Sequence, residues 1–180
     1  MTRAFAAISL PEAQRSALAA LQLMLPLPRR VPEENLHLTL VFLGDLDDAG
    51  LEAVHEAFCA VEGAPFELTL SGVGLFGGAR PRVAWAGVAP SPELLALQAR
   101  IAAAARRAGA EPDHRRYTPH VTLARFAPGA VEAPRLEHAV VQVADFRSGP
   151  FSVMDFVLYE SRLSPKGAHH RALVHYPLGG

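Results

Sequence analysis

His37-Leu38-Thr39-Leu40 and His120-Val121-Thr122-Leu123 are two versions of one tetrapeptide. In an extended strand alternate side chains project to the same face. His37 and Thr39 therefore point one way, and Leu36, Leu38 and Leu40 the other. The second copy repeats this, with His120 and Thr122 on one face and Val121 and Leu123 on the opposite one. Eight histidines and five threonines scattered at random over 180 positions would give roughly 0.2 His-x-Thr pairs, against the two present. Two strands, each buried on one side and carrying His and Thr on the other, can build a site with two proton-transfer groups.

Working outward from the first copy, residues 3–9 read as a strand, and Pro11-Glu12 opens a helix to about residue 25. Pro26, Pro28 and Pro32 break the chain before a motif strand at 35–43. Asp47-Asp48 opens a second helix to about 61, with acidic residues at its positive end. A strand at 66–70 precedes a loop rich in Gly and Arg, and another strand follows at 82–88. Ser91-Pro92 is an N-cap with Pro at the first helical position, and Gly109 is a C-cap beyond Ala108. The second motif strand is expected at 119–126, with later strands at 138–147, 151–160 and 171–177. The late run of strands favours an α+β arrangement over a doubly wound parallel sheet. The motifs lie 83 residues apart, each preceded by a strand, a helix and a loop. This spacing predicts two pseudo-symmetric lobes of antiparallel sheet, helices outside, with a central cleft in one bilobal domain over 1–180.

A net charge of −1 supplies no global basic field for long nucleic acid. Arg29, Arg30, Arg115 and Arg116 are either a local basic patch or solvated loop charges. The single cysteine, Cys59, excludes an intrachain disulfide and is expected as a small buried thiol on its helix. No apolar run approaches 18 residues, and the N-terminal apolar portion is too short for a secretory signal. A soluble, cytoplasmic, monomeric protein with no membrane partner is expected.

Two histidines facing each other across a cleft act as general acid and general base near neutral pH, since their ordinary pKa is about 6.5. Phosphoester cleavage uses both: a base takes a proton from attacking water while an acid protonates the departing oxygen. Each such transfer is typically worth about 10²–10⁴ in rate. Thr39 and Thr122 can donate to non-bridging phosphate oxygens. Neither role needs a metal or another cofactor. His55, His114, His138 and His175 are expected to be structural. The neighbours His169-His170 diverge in a strand and complete no zinc set. Gly74-Leu75-Phe76-Gly77-Gly78 lacks the ending of a phosphate-binding P-loop.

At these residues the chain resembles the 2H phosphoesterase superfamily, and within it the RNA 2′,3′-cyclic phosphodiesterases, also called 2′-5′ RNA ligase-like proteins. The likeness runs in order through residues 32–44, Gly74-Leu75-Phe76, Trp85-Ala86-Gly87-Val88, residues 119–125 and residues 159–165. It implies a bilobal α+β fold with both motifs lining the cleft. It also implies hydrolysis of a terminal 2′,3′-cyclic phosphate to a 2′-phosphate, on RNA ends or short oligonucleotides. His37 then resembles the proton donor to the 3′ oxygen, His120 the acceptor that activates water, and Thr39 and Thr122 the phosphate holders. The motifs are too alike for the sequence itself to set this polarity. By the same matching Arg125 is a cation near the phosphate, and Phe42 either stacks on the terminal base or packs in the core. Both lie five residues after a motif histidine. That is the wrong parity for an ideal strand, so a strand end, twist or bulge must turn them.

Two other outcomes stay open at this level. One is reversible 2′-5′ ligation, with an RNA 5′-hydroxyl in water's place. The other is a different role for the same cleft: a nucleotide-binding module without turnover, or a phosphodiesterase for a small cyclic nucleotide metabolite.

Overall fold

The computed structural model describes residues 1–112, 116–164 and 167–179; His114 and Arg115 lie outside them. The elements run β1 (Thr2–Ser9), α1 (Glu12–Met24), a 3₁₀ turn (Glu33–Asn35), β2 (His37–Leu46), α2 (Asp48–Cys59), β3 (Phe66–Phe76), β4 (Val83–Val88), α3 (Pro92–Arg107), β5 (His120–Arg125), α4 (Ala133–Gln142), β6 (Arg147–Val153), β7 (Asp155–Ser164) and β8 (Gly167–Pro177). The local signals act as expected where they are strongest. The Asp47 carboxylate accepts from the Gly50 N–H at 2.8 Å to start α2, and Ser91 Oγ accepts from the Leu94 N–H at 3.1 Å to start α3. Each cap contributes about 1 kcal/mol.

The eight strands form one antiparallel α+β sheet in the order β6-β3-β4-β5-β2-β1-β7-β8. The order is pseudo-symmetric about the β5–β2 seam. Strand β1, helix α1, strand β2 and helix α2 in one half repeat as β4, α3, β5 and α4 in the other. The seam is thin, with Leu38 opposite Val121. A second join is covalent: Met154 alone separates β6 from β7. Five strands lie between those two in the sheet order, at roughly 4.8 Å each. One residue can span that only if the sheet is strongly curved. Fully buried Leu18, Phe58, Leu94, Ile101 and Leu136 from the four helices pack with Leu38, Leu68, Leu70, Val121 and Leu123 from the sheet.

Four expectations need correction. Residues 138–142 are helical, the second half of α4. Its inward residues Leu136, Ala139, Val140 and Val143 follow the helical period, and Pro134 stands in its first turn. The strand expected at 66–70 continues to Phe76, because an irregularity between Leu70 and Val73, with Gly72 at φ +81°, lets pairing with β4 resume. The strand expected at 151–160 is two strands, divided at Met154. Cys59 is exposed, since the buried stripe of α2 runs through Val54 and Phe58. Among the described residues no helix is long and apolar enough to cross a membrane.

Candidate active site

Strands β2 and β5 place both motifs on one face of the seam. With Leu38 opposite Val121, continuing the antiparallel register by one residue sets His37 across from Thr122 and Thr39 across from His120. All four side chains are half-buried, while Leu38 and Val121 behind them are fully buried. The two imidazoles are anchored in the same way. His37 Nδ1–H donates to the Asn35 carbonyl and His120 Nδ1–H to the Thr118 carbonyl, each at 2.7 Å. A neutral ring so held carries its proton on Nδ1 and leaves Nε2 as the free base.

Phe42 and Arg125 reach the same face through matching bulges. In β2, Ala7 pairs with Thr39 and Ala6 with Val41, so Leu40 is an extra residue. In β5, Trp85 pairs with Thr122 and Ala84 with Ala124, so Leu123 is the extra one. An added residue reverses the alternation beyond it. Both strands accordingly show two consecutive buried residues, Leu40-Val41 and Leu123-Ala124, followed by exposed Phe42 and exposed Arg125 soon after. Phe42 is 52% exposed and stands 6.1 Å from Phe5; the core-packing alternative for it does not hold. Helices stitch the bulges across the seam. Gln22 of α1 donates to the Leu123 carbonyl at 2.8 Å, and Gln98 of α3 to the Leu40 carbonyl at a longer 3.4 Å. Tyr117, just before the second motif, donates its hydroxyl to the Thr39 carbonyl at 3.0 Å.

Aromatic walls flank each histidine. Phe5 lies 4.8 Å and Tyr159 6.3 Å from His37; Phe76 lies 5.0 Å and Trp85 6.4 Å from His120. The Trp85 indole rests on β3 at Gly74, where a Cβ would strike the ring. His170 from β8 meets His37 edge-on at 5.1 Å. The expectation that the His169-His170 pair diverges is met, since His169 is exposed while His170 turns inward. His170 nonetheless belongs to the site, which the sequence reading did not see. The available signal was the alternation of β8, which puts one of two adjacent histidines on the cleft face. His55, His138 and His175 lie elsewhere: His55 bonds the Tyr176 hydroxyl at 2.9 Å, His138 is exposed on α4, and His175 pairs with Asp155 at 2.7 Å. Among the described residues no group of three or more His, Cys, Asp or Glu side chains is placed to hold a metal ion.

The electrostatics keep both imidazoles neutral until an anion enters. Burial pushes His37 down to about 4; the Asn35 carbonyl opposes this, and the charges of His170, Arg125 and His120 reinforce it. Burial also lowers His120, against the Thr118 carbonyl and with the Arg125 charge. A phosphate among His37, His120 and Arg125 would reverse these effects, because an opposite charge favours the protonated imidazole. The arrangement can thus bind an anion, gain one proton, and present an acid and a base from two sides of the seam.

Comparison with known proteins points the same way. A model of the 2′-5′ RNA ligase superfamily matches residues 10–164. The curated RNA 2′,3′-cyclic phosphodiesterase of Geobacillus stearothermophilus is 35% identical over 159 residues, 87% of this chain; the chain spans about half of that relative, 49% of its length. The RNA 2′,3′-cyclic phosphodiesterase of Archaeoglobus fulgidus is 32% identical over 146 residues, 81% of each chain. Among solved structures, Escherichia coli LigT complexed with 3′-AMP superposes with a TM-score of 0.82 at 28% identity, covering 99% of both chains.

Proposed function

The chain belongs to the 2′-5′ RNA ligase superfamily, and from that premise we propose that it hydrolyses terminal 2′,3′-cyclic phosphates of RNA to 2′-phosphates. The observation that carries this reading is the mirrored pair of imidazoles, each tied by Nδ1–H to a backbone carbonyl and each set opposite the other motif's threonine. His120 Nε2 takes a proton from water as its oxygen bonds to phosphorus. The bond from phosphorus to the 3′ oxygen breaks, and His37 Nε2–H gives that oxygen its proton. A 2′-phosphate and a free 3′-hydroxyl result; His120 is left with the proton from water and His37 without its own, and exchange of one proton with solvent at each ring restores the starting state. The Thr39 and Thr122 hydroxyls donate to the non-bridging oxygens, Arg125 offsets their charge, and Phe42 offers a face to the terminal base.

The polarity is the one the family resemblance implies. Burial and the Arg125 charge lower both histidines, so the proton that His37 gives to the leaving oxygen has to come with the bound phosphate, while neutral His120 serves as the base. With an RNA 5′-hydroxyl replacing water, the same two transfers would form a 2′-5′ linkage. The test is to incubate the protein in EDTA with an oligonucleotide ending in a 2′,3′-cyclic phosphate and identify the product. A 2′-phosphate is expected. A 3′-phosphate would reverse the assigned leaving oxygen, and dependence on an added metal would overturn the two-histidine scheme.

A further inference from the structure

Among the described residues His170 has no counterpart across the pseudo-twofold. His120 is walled by Phe76 of β3 and Trp85 of β4, and His37 by Tyr159 of β7 and Phe5 of β1. Among those residues the His37 side alone receives a further ring from the outer strand. His170 meets His37 at 5.1 Å and 87°, and Phe5 at 4.9 Å and 78°. Among the described residues its Nδ1, sealed from solvent, has no hydrogen-bond partner; Trp85 Nε1 on the His120 side is in the same condition. Buried polar atoms are seldom left in that condition, and each exception needs a reason.

The orphaned nitrogen favours one state of the ring. A sealed N–H without an acceptor is rarer and costlier than an unused lone pair. The proton of neutral His170 therefore sits on Nε2, and Nδ1 keeps its lone pair. A second proton, on Nδ1, would meet the same penalty, so the ring stays neutral. Burial first, and then the charge of His169, lowers its affinity for protons in the same sense. Neutrality also suits the neighbourhood. A charge on His170 would lower His37 more than Arg125 or His120 does, and these two already disfavour a charge there, while Tyr159 and Phe5 bring none. A cationic ring at 5.1 Å would further resist the proton His37 has to carry.

We infer that His170 is a third substrate-contacting residue, a neutral donor whose Nε2–H binds an oxygen of the terminal nucleotide on the His37 side of the cleft. The inference rests on the phosphodiesterase reading for the identity of its ligand.

Two substitutions separate the N–H from the ring. His170→Phe keeps a planar ring against His37 and Phe5 and removes the donor. His170→Gln keeps an N–H near the Nε2 position. The probe is adenosine 2′-monophosphate, with binding followed by calorimetry in EDTA and nitrogen-15 histidine spectra recorded on the unaltered protein. We expect His170 to carry its proton on Nε2 alone at pH 7 and its Nε2 signal to shift when nucleotide is added. His170→Phe should weaken binding about tenfold, the loss of one ordinary hydrogen bond, and His170→Gln should recover most of it. An Nδ1–H tautomer, a doubly protonated ring, an unmoved Nε2 signal, or unchanged binding by His170→Phe would each overturn the assignment. So would failure of the unaltered protein to bind the nucleotide. Nucleotide binding without opening of a cyclic phosphate would instead refute the proposed reaction, and the spectra and binding would still decide for or against His170.

Discussion

The side-chain amide of Gln22 donates to the carbonyl of Leu123 at 2.8 Å, joining α1 to the bulge of β5 across 101 residues of sequence. Gln22 is only 3% exposed, and the same amide nitrogen bonds the Val31 carbonyl at 2.9 Å. The Val31 N–H in turn donates to the Leu123 carbonyl at 2.8 Å. The bulge takes the Leu123 carbonyl out of regular pairing, and this small network satisfies it. Arg125, two residues on, owes its place on the cleft face to that bulge.

Replacing Gln22 by Leu should therefore act at a distance. It leaves buried carbonyls short of a donor, which costs about 1–3 kcal/mol, and loosens the aim of Arg125. A severalfold rise in KM is expected in the Arg125 background. The same substitution should leave KM nearly unchanged once Arg125 is already Ala, because the two act as a unit. Equal effects in both backgrounds would show that Gln22 serves only the fold.

His37→Ala and His120→Ala should each lower turnover by about 10²–10⁴. Both rings are half-buried and bond only to local carbonyls, so the melting temperature should hardly move. Combining the substitutions should cost much less than the product of the separate losses, since one transfer is of little use without the other. Near-full activity in either single variant would remove that histidine from the pair.

Stability should fall with acid in a defined window. Folded His37 takes its proton near pH 4, whereas in the unfolded chain it does so near 6.5. Between those values the unfolded state binds more protons, so stability rises with pH there. The contribution is fully present above about pH 6.5, is lost as pH falls toward 4, and changes no further below. It amounts to at most ~3 kcal/mol before screening of the half-buried ring. His120, shifted the same way, adds to it. Urea denaturation of the unaltered protein and of His37→Asn at pH 7 and pH 4.5 should show a shallower pH dependence in the variant. Identical dependence would mean that His37 titrates normally.

The parts of the molecule that the chain states locally were legible in it. The His-x-Thr alternation, the Asp47 and Ser91 caps and the 83-residue offset between motifs located the paired strands, three of the helices and the catalytic candidates. The same offset, applied to α2, points to a helix near 131–142, where α4 lies. The strand expected at 138–147 left unused both that offset and the helical period of Leu136, Ala139, Val140 and Val143 behind Pro134. The parity of Phe42 and Arg125 asked for a strand end, twist or bulge, yet nothing local marks Leu40 or Leu123 as the extra residues. Their stabilising partners, Gln22 and Gln98, come from helices across the seam. His170 was hidden for the same reason, since its contact with His37 exists only through the β1–β7–β8 pairing.

Phe42 offers the last test, because its exposure separates binding from folding. A large apolar side chain that is 52% exposed contributes little to the core. Phe42→Ala should therefore leave the melting temperature within about a degree or two, the range of surface substitutions. Stacking on a base is worth about 1–3 kcal/mol, so kcat/KM for a cyclic-phosphate RNA end should fall by roughly ten- to a hundredfold. The cause can be isolated with a substrate whose terminal residue is abasic. The unaltered protein should lose about the same factor on that substrate, and Phe42→Ala should be indifferent to whether the base is present. If the variant still prefers the end that carries a base, the base is read by another surface, with half-buried Tyr159, whose ring stacks on buried Phe5 at 5.2 Å, a candidate.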